Sequence, residues 1–494
     1  MYIGIDLGTS SVKMILINHK QEILSNAHCS LSTQTPKDGY NEQNPKEWIL
    51  ATEKCLDILK KSSPKEFKSV ISIGISGHMH GATLIDRKGK IIRPCILWND
   101  TRAFVECKEF ENQEYDVRKI SGNIAMPGFT APKINWLRKN EKENFDKIFK
   151  VLLPKDYLRY YLTGEFFSEM SDASGTLWMD VKNRKWSENL LAASFLTENN
   201  MPKLIEGNQE AGFLNNKFRK KYEFDNNVIV VGGAGDNAAA AAGMGIIQEK
   251  QSFISLGTSG VFFTPTSNFI TNTEKAVHSF CHCLPNKWHL MSVMLSASNC
   301  LDWISLITEN SIKESLKNAE IFSDQSDNVL NAPYFLPYLS GERTPHNDPH
   351  VRGSFHYLKT TNDKASLQYS VLEGVSFGIL DGVKSIETVN NNFTQILMVG
   401  GGSRSSFWIN LLASIINKKL SVCDQSEFSA AIGVARLAMF SDNNITDKKS
   451  IMKEIEVKKI FNPSDKKISI LEKRYKNWKE IYLSNKKINK MYLI

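Results

Sequence analysis

One carboxylate in this chain is well placed to act as a base. Asp236 follows the run Gly232-Gly233-Ala234-Gly235, with an apolar stretch over 228–231 before it and an alanine-rich stretch over 238–242 after it. This order predicts a strand, a tight turn and a helix that begins beside Asp236. Glycines let a ligand approach the backbone, and helix N-termini favour anions. Asp236 is therefore a candidate general base for a bound hydroxyl, which Asn237 would orient; a plain N-cap is the alternative.

Two short loops of similar sequence are candidate phosphate-binding elements. Leu7-Gly8-Thr9-Ser10 and Leu256-Gly257-Thr258-Ser259 each lie between two β-rich runs. Such a turn presents amide N–H groups and hydroxyls together, a concavity that suits phosphate. The sequence around each loop predicts a hairpin. The repeat predicts a duplicated domain whose two loops bind one nucleotide between them. For the first loop taken alone, an ordinary hairpin is the alternative.

Two charged residues flank the first loop. Asp6 enters the loop, and its carboxylate is a candidate to hold Mg²⁺ through water. Lys13 lies on the following strand, where it either approaches a phosphate or is an ordinary exposed lysine.

A second group of candidates suits a small polar ligand. The buried strand predicted over 69–75 ends in His78-Met79-His80-Gly81, and further strands are predicted over 82–85 and 91–98. Trp98 and Asn99 could stack on and hydrogen-bond a sugar. Each of these residues also has an ordinary structural interpretation, since most single histidines and tryptophans serve packing.

A triple glycine provides a weaker nucleotide signal. Gly400-Gly401-Gly402-Ser403-Arg404 follows an apolar run over 395–399 and precedes a helical pattern over 407–416. A strand, glycines and a helix form a common nucleotide-binding arrangement, although the chain contains no Walker A motif and this segment is not Gly-x-Gly-x-x-Gly.

The cluster His278, Cys281, His282 and Cys283 resembles a metal site only superficially. It has no second ligand pair at zinc-like spacing, so we do not expect it to bind metal. Strand alternation would instead place Cys281 and Cys283 on one face as small apolar residues.

Length and composition limit the classes of protein that remain. A chain of 494 residues exceeds one ordinary core, and 41% apolar with 23% charged residues indicates a globular protein of two or more domains. The net charge is +8, but residues 453–494 hold 12 Lys/Arg and 5 Asp/Glu, an excess of 7. The remainder is near neutral, which argues against a nucleic-acid-binding surface.

Cellular setting is also constrained by the sequence. The eight cysteines lack the density of a disulfide scaffold, there is no signal peptide, and no apolar run reaches about 18 residues. We therefore expect a cytoplasmic protein without a membrane span. Apolar residues at helical spacing after Asn462-Pro463-Ser464 predict a basic C-terminal helix, with a solvated lysine face favoured over a membrane-surface role.

Taken together, these motifs resemble the FGGY carbohydrate kinases over essentially the whole chain. The resemblance rests on the residues that open the chain, on 78–83 and 97–100, on Asp236-Asn237 and on three later segments: Ser255-Leu256-Gly257-Thr258-Ser259-Gly260, Ser340-Gly341-Glu342-Arg343-Thr344-Pro345-His346 and Gly400-Gly401-Gly402-Ser403-Arg404. Any one motif is weak, but their joint order is specific.

The resemblance implies an α/β fold with two ribonuclease-H-like (actin-like ATPase) domains flanking a catalytic cleft. Residues 1–243 would form the sugar side with the catalytic Asp, and residues 244–494 the nucleotide side with the basic helix. The family relation implies ATP- and Mg²⁺-dependent phosphorylation of D-xylulose to its 5-phosphate, in D-xylose catabolism that feeds the pentose phosphate pathway. A homodimer is an expectation from the family alone.

By position, the resemblance also assigns roles. Asp236 would be the base, Met79 and His80 would lie against the sugar, residues 8–10 and 257–259 would hold ATP phosphates, and 400–404 would face the adenosine. Three departures from the family pattern, His78 for Gln, Ala234 for Gly and Phe428-Ser429 for a smaller turn, bear on sugar preference and nucleotide fit.

Two alternatives stay open from the sequence. One is another kinase of the same family, acting on ribulose, a deoxysugar, gluconate or glycerol, because a few sugar contacts decide specificity. The other is an actin-like ATP-binding switch without sugar transfer, which the retained carboxylates Asp6 and Asp236 disfavour.

Overall fold

A computed structural model describes residues 1–423 and 426–489. The last five residues of the predicted second domain, 490–494, lie outside the described residues. The strands are β1 Tyr2–Leu7, β2 Ser11–Ile17, β3 Ile23–Ser30, β4 Glu42–Gln43, β5 Ser72–Gly77, β6 Thr83–Ile85, β7 Cys95–Ile96, β8 Lys150–Leu152, β9 Phe167–Glu169, β10 Met179–Asp180, β11 Lys185–Trp186, β12 Lys203–Ile205, β13 Glu210–Phe213, β14 Ile229–Val231, β15 Ala234–Gly235, β16 Gln251–Leu256, β17 Gly260–Thr266, β18 His278–Cys281, β19 Trp288–Met294, β20 Tyr334–Leu336, β21 Ser354–His356, β22 Gln395–Val399, β23 Leu420–Cys423 and β24 Val457–Phe461.

The helices alternate with these strands along the chain. They are α1 Pro45–Ser62, α2 Pro64–Lys68, α3 Phe104–Glu111, α4 Val117–Ser121, α5 Thr130–Asn140, α6 Lys142–Phe145, α7 Pro154–Thr163, α8 Met170–Ala173, α9 Glu188–Ala192, α10 Asn216–Tyr222, α11 Asp236–Met244, α12 Ser298–Ile307, α13 Ile312–Ser323, α14 Ser326–Asn331, α15 Lys364–Glu387, α16 Ser406–Ile416, α17 Ser429–Met439 and α18 Asp465–Asn489.

Two large mixed sheets share one topology. In the first lobe (residues 1–243), β1, β2 and β3 form an antiparallel meander, β5 and β14 continue parallel to β1, and β13 closes the edge antiparallel. In the second lobe (residues 244–489), β16, β17 and β19 form the meander, β22 and β23 continue parallel to β16, and β24 closes antiparallel. The repeated order confirms the predicted duplication, and both predicted hairpins are present.

Helix α17 of the second lobe packs directly on the first lobe. A Cβ on Gly4 of β1 would lie 1.9 Å from the Ala431 carbonyl oxygen, and one on Gly74 of β5 would lie 1.9 Å from that of Val434. The same helix contacts α11, where a Cβ on Gly243 would lie 1.8 Å from the Ser429 carbonyl oxygen. Glycine is therefore required at these positions because backbone meets backbone, and the contact joins the two lobes.

The apolar face of the C-terminal helix α18 belongs to the core of the second lobe. Leu471, Tyr475, Trp478 and Tyr482 are buried there with residues of α15 and α16. The predicted helix is thus confirmed, and its apolar stripe is not available to a membrane surface. None of the helices in the described residues is long and apolar enough to cross a bilayer.

Some sequence-based predictions of local structure were too simple. The strand predicted over 91–98 contracts to β7; Ile91 makes only an isolated bridge with Ile85, and most of the remaining residues have no regular structure. Cys281 and Cys283 do not share a strand face: β18 ends at Cys281, and the two thiols lie in different apolar clusters. Both residues are buried, in accord with their interpretation as small apolar side chains.

The contact between α11 and α17 gives a direct test of the fold. Gly243→Ala would gain helix propensity, but its Cβ would collide with the Ser429 carbonyl. We expect a net loss of about 1–3 kcal/mol in the free energy of unfolding, measured by urea titration. Gly401→Ala is the control, since nothing lies within 4 Å of its added Cβ. Equal midpoints for the two variants would contradict the proposed close packing.

Candidate active site

The candidate site lies at the carboxyl ends of three adjacent strands of the first sheet. Asp6 of β1 is paired with Ser76 of β5, and Ser76 is paired with Ala234 of β15. Parallel strands end at the same edge, so the segments that follow β1, β5 and β15 meet there. The first candidate phosphate-binding loop, Gly8-Thr9-Ser10, the segment His78–Gly81 and the turn that carries Asp236 are thereby brought together. The two loops of this kind, at 8–10 and 257–259, are called the phosphate-type loops, and the hairpins that contain them the phosphate-type hairpins.

Asp236 is the first residue of α11, and the N-cap is Gly235, which has no side chain to cap with. The alternative that Asp236 serves as the N-cap is therefore wrong. Its Oδ1 accepts hydrogen bonds from the Asn237 amide at 2.7 Å and from Asn237 Nδ2 at 2.8 Å. Burial raises the pKa of Asp236 to about 6, and the negative charge of Asp6 adds to the rise, while Asn237 opposes it. A carboxylate with this pKa is ionised at pH 7 and is still a better base than an ordinary Asp.

Asp6 is the second carboxylate at this edge. Its Oδ1 accepts a hydrogen bond from Ser76 Oγ at 2.5 Å, and burial raises its pKa despite that bond and the positive charge of Lys13. Within residues 1–423 and 426–489, no cluster of three His, Cys, Asp or Glu side chains could hold a metal by protein ligands alone. Two carboxylates beside a phosphate loop nevertheless fit Mg²⁺, which usually takes one or two carboxylates, water and substrate phosphates.

Met79 and His80 line the side of the site next to Asp236. Both are buried, and Gly235 faces Met79 so closely that a Cβ there would lie 3.2 Å from its sulfur. His80 has a φ of 69°, which is unusual for a bulky residue. Its Nδ1 lies 2.6 Å from the Gly175 carbonyl, and because a carbonyl only accepts, Nδ1 carries the proton. Burial holds the pKa of His80 well below its usual value, so Nε2 is left as an acceptor for a ligand hydroxyl.

The carbonyl of His80 is fixed by two donors from α5. Thr130 Oγ1 and Lys133 Nζ each donate to it at 3.0 Å. Burial lowers the pKa of Lys133 to about 7. The strained backbone at His80 is thus held by groups that the sequence did not single out.

Trp98 links this region to the first phosphate-type loop. Its Nε1 donates to Thr9 Oγ1 at 3.0 Å, and Gln43 Nε2 donates to the Thr9 carbonyl at 2.5 Å. No described residue accepts a hydrogen bond from the amides of Thr9 or Ser10. The loop therefore presents donors while its other groups are fixed.

The second loop and the triple glycine adjoin each other in the second lobe. A Cβ on Gly400, which has a φ of 87°, would lie 2.6 Å from the Leu256 carbonyl, just before Gly257. The Ala297 amide donates to the Thr258 carbonyl at 2.9 Å, which fixes that loop from the start of α12. Gly401 and Arg404 are both exposed. The predicted nucleotide elements are therefore neighbours.

Two other residues that the sequence singled out, Lys13 and His78, make contacts of a different kind. Lys13 Nζ donates to the Glu427 carbonyl at 3.2 Å and lies 5.9 Å from the Phe428 ring, so it contacts the second lobe. His78 is buried against Trp48, with ring centroids 5.6 Å apart, and burial lowers its pKa to about 3. His78 is therefore a packing residue behind the site.

A buried charge network behind the Asp236 turn was missed by sequence reasoning. Glu169 Oε1 accepts from the Gly235 amide at 3.1 Å, and Lys155 Nζ lies 2.7 Å from Asp156, 3.7 Å from Glu169 and 3.3 Å from Asp172. The segment over 171–176 is also buried beside this turn, and the Gly235 amide donates to Ser171 Oγ at 3.0 Å. Only its polar, turn-rich character was visible in the sequence.

Charge balance within this network follows from its geometry. Arg159 pairs with Asp156 at 2.7 Å and donates to the Gly232 carbonyl at 2.7 Å. Burial raises the pKa of Asp172 well above its usual value. Lys155 and Arg159 thus lie among the carboxylates of Asp156, Glu169 and Asp172, and burial raises the pKa of Glu169 as well, so the turn rests on a compact set of paired buried charges.

Comparison with known proteins agrees with this arrangement. Residues 1–243 match the N-terminal domain, and residues 252–441 the C-terminal domain, of the FGGY family of carbohydrate kinases. The chain belongs to this family, and the two-domain actin-like α/β fold expected from the resemblance is confirmed.

Individual relatives cover nearly the whole chain. A xylulose kinase of Escherichia coli (strain K12) is 41% identical over 98% of this chain and 98% of its own length. One from Klebsiella pneumoniae is 42% identical over 95% and 96%. The crystal structure of a xylulose kinase from Brucella ovis superposes with a TM-score of 0.94, at 42% identity and 99% coverage of both chains.

The buried network predicts a contrast between two substitutions. Lys155→Met would leave buried carboxylates without their cation, and we expect it to lower the free energy of unfolding by about 3–5 kcal/mol. Asp172→Asn is nearly isosteric with the neutral acid, so we expect a change below about 1 kcal/mol. Chemical denaturation at pH 7 measures both. A large loss in Asp172→Asn would show that Asp172 is ionised in the folded protein.

The raised pKa of Asp236 predicts a stability cost at high pH. The ordinary value is 3.8 and the folded value about 6, so folding disfavours the ionised form and stability falls as pH rises between these values. We expect Asp236→Asn to be more stable than the parent at pH 8 by up to about 3 kcal/mol, and nearly equal to it in stability at pH 4. Thermal denaturation at both pH values tests this. Equal stability at pH 8 would contradict the pKa assigned to Asp236.

Proposed function

We propose that this protein transfers the γ-phosphoryl group of ATP to the 5-hydroxyl of D-xylulose, in D-xylose catabolism that feeds the pentose phosphate pathway. The observation that carries the proposal is the shared strand edge, where a carboxylate of raised pKa, Asp236, adjoins Met79, His80 and the loop at 8–10. Relatives named xylulose kinase over nearly the full chain support the choice of sugar.

In the proposed reaction, Asp236 takes the proton of the sugar hydroxyl as its oxygen attacks the γ-phosphorus in line. Asn237 holds the Asp236 carboxylate in place through two hydrogen bonds. The neutral Nε2 of His80 accepts from a second sugar hydroxyl, and the Met79 side chain packs against the sugar carbons. Positioning of this kind supplies most of the catalysis expected for phosphoryl transfer.

The nucleotide would lie between the two lobes. Amides and hydroxyls of 8–10 and 257–259 bind the phosphates, and 400–404 faces the adenosine, with Lys13 held nearby by Glu427. Asp6 would hold Mg²⁺ through water. The ion, when bound with ATP, neutralises phosphate charge. Closure of the lobes excludes water, which otherwise competes as acceptor.

Location and assembly belong to the same proposal. The described residues contain no disulfide, and seven of the eight cysteines are buried. We propose a cytoplasmic enzyme whose division into sugar and nucleotide domains falls after Gly243. A homodimer stays an expectation from the family.

The base assignment predicts a specific loss. Asp236→Ala should reduce the turnover number by at least about 10³-fold, because it removes the carboxylate proposed to take the proton of the hydroxyl, while the variant stays folded and binds ATP normally. Steady-state kinetics and ATP titration, each with a thermal melt, measure this. Near-normal turnover would overturn the role of Asp236.

The substrate is tested by ADP formation from ATP and Mg²⁺ across a panel of acceptors. The panel contains D-xylulose, D-ribulose, L-ribulose, L-fuculose, gluconate and glycerol, with a sugar-free control. We expect a clear preference for D-xylulose. Strong turnover of another acceptor would keep the kinase and change the sugar, whereas hydrolysis that does not depend on sugar would favour the ATP-binding switch.

A further inference from the structure

The loop between β20 and β21 brings one cation of the second lobe to the first lobe. Within this loop, Glu342 Oε1 accepts from the Leu295 amide at 2.9 Å and from the Arg343 amide at 2.7 Å. The Thr344 amide donates to the Val293 carbonyl at 3.1 Å, and Thr344 Oγ1 donates to that of Ala276 at 2.8 Å. The backbone on both sides of Arg343 is therefore fixed to the sheet of the second lobe.

The guanidinium of Arg343, in contrast, has no hydrogen bond or ion pair with any described residue. It lies 5.8 Å from the centroid of the Trp98 ring, across the cleft. A Cβ on Gly128 would lie 3.3 Å from Arg343 Nη2 and 2.1 Å from the Trp98 carbonyl. The Arg343 side chain thus reaches residues of the first lobe, because Gly128 has no Cβ to block its path.

Its own loop does not neutralise this charge. Burial raises the pKa of Glu342 to about 8, so that this neighbour is largely uncharged at pH 7, and burial lowers the pKa of Arg343 to about 10. A half-buried guanidinium has five donors and no acceptor, so its N–H groups need oxygen atoms from water or from a ligand.

The contacts around Arg343 lead to the sugar side of the candidate site. Phe129, next to Gly128, packs on His80 with ring centroids 4.5 Å apart, and Met79 separates His80 from the turn that carries Asp236. Along this line of contacts, Arg343 and Asp236 stand at opposite ends, with Met79 and His80 between them. A sugar whose terminal hydroxyl points to Asp236 would direct its other end towards Arg343.

We propose that Arg343 binds the carbonyl end of the sugar, its C1 hydroxyl and C2 ketone oxygen, and so makes the second lobe a part of the sugar site. The proposal rests on the function proposed above. The segment 340–346, which has no other role in the proposed reaction, would then contribute to substrate selection. Binding of sugar by Arg343 would also draw the two lobes together, since Arg343 and Trp98 belong to different lobes.

The test is kinetic and uses two substitutions of Arg343. In Arg343→Gln we expect the KM for D-xylulose to rise about 10- to 100-fold, the usual effect of losing a hydrogen bond from a charged group, while the KM for ATP changes less than about threefold. Arg343→Lys, which retains the charge but not the planar fork, should recover part of the loss. The turnover number at saturating sugar should stay within about threefold of the parent.

A matched control comes from the same loop. Arg352 is exposed, and its Nη1 already donates to the carbonyls of Pro349 at 2.8 Å and Val351 at 2.9 Å. Arg352→Gln should leave both KM values within about twofold of the parent. Thermal melts of all variants separate a sugar-binding defect from a folding defect.

A second substrate locates the contact on the sugar. Xylitol lacks the ketone, so the preference of the parent for D-xylulose over xylitol, as a ratio of kcat/KM, should shrink at least about fivefold in Arg343→Gln. A fall in turnover number with unchanged sugar KM would assign Arg343 to the phosphoryl group and overturn the proposal, as would unchanged kinetics.

Failure of the Arg343 proposal can be distinguished from failure of the proposed function. Turnover by the parent enzyme on the sugar panel decides the substrate, and the Arg343 variants are then compared on whichever sugar the parent uses. If the parent prefers another ketose, comparing the change in KM for that sugar with the change in KM for ATP still tests the role of Arg343. A parent that hydrolyses ATP without any sugar would instead refute the proposed function itself.

Discussion

The contact between α11 and α17 is the constraint on which the site depends. Helix α11 begins at Asp236 and ends at Met244, and α17 of the second lobe crosses it so closely that Gly243 and Gly433 each face a carbonyl oxygen. The C-terminal end of α11 is held as well, because Arg436 donates to the Ala242 carbonyl at 2.9 Å. The turn that carries Asp236 is thereby fixed relative to both lobes, although the groups that would bind sugar and nucleotide come from different halves of the chain.

The electrostatics of the turn are arranged in two layers. Behind it, Lys155 and Arg159 balance buried carboxylates and hold the Gly235 amide and the Gly232 carbonyl through Glu169 and Arg159. In front of it, Asp6 and Asp236 lie near each other, neither of them in an ion pair with a described residue, and burial raises both pKa values. The paired charges behind the turn thus support Asp6 and Asp236, which have no such pairing. Unpaired buried carboxylates destabilise a fold, and they are typical of a site that binds a charged ligand.

Much of the architecture was predictable from local sequence patterns. β22 has the limits that the sequence indicates, and both phosphate-type hairpins are present, because strand periodicity and glycine turns are local signals. The candidate residues of the first lobe were found because motifs mark strand ends, and parallel strands collect those ends at one edge. The order of strands in each sheet required the structure, since pairing depends on contacts distant in sequence.

What the sequence did not reveal were residues that act through distant partners. Lys155 and Glu169 meet only after α7 and β9 pack against the turn, and nothing in their spacing indicates a network. Arg343 lies in a motif that the family resemblance had marked, yet its position beside Trp98 depends on how the lobes face each other. The N-cap interpretation of Asp236 failed for a local reason, because Gly235 occupies that position.

The two phosphate-type hairpins differ at one informative position. The first has the order Ile5-Asp6-Leu7 before its Gly-Thr-Ser turn, and the second has Ile254-Ser255-Leu256, so an acid in one copy corresponds to a hydroxyl in the other. Two nearly identical turns would by themselves accept a chain of phosphates in either direction. If the two loops bind the phosphates of ATP as proposed, Asp6 would place the metal ion at the first loop, because the second loop has a serine at the matching position. This one difference between the two copies would then set the direction in which the nucleotide lies along the cleft.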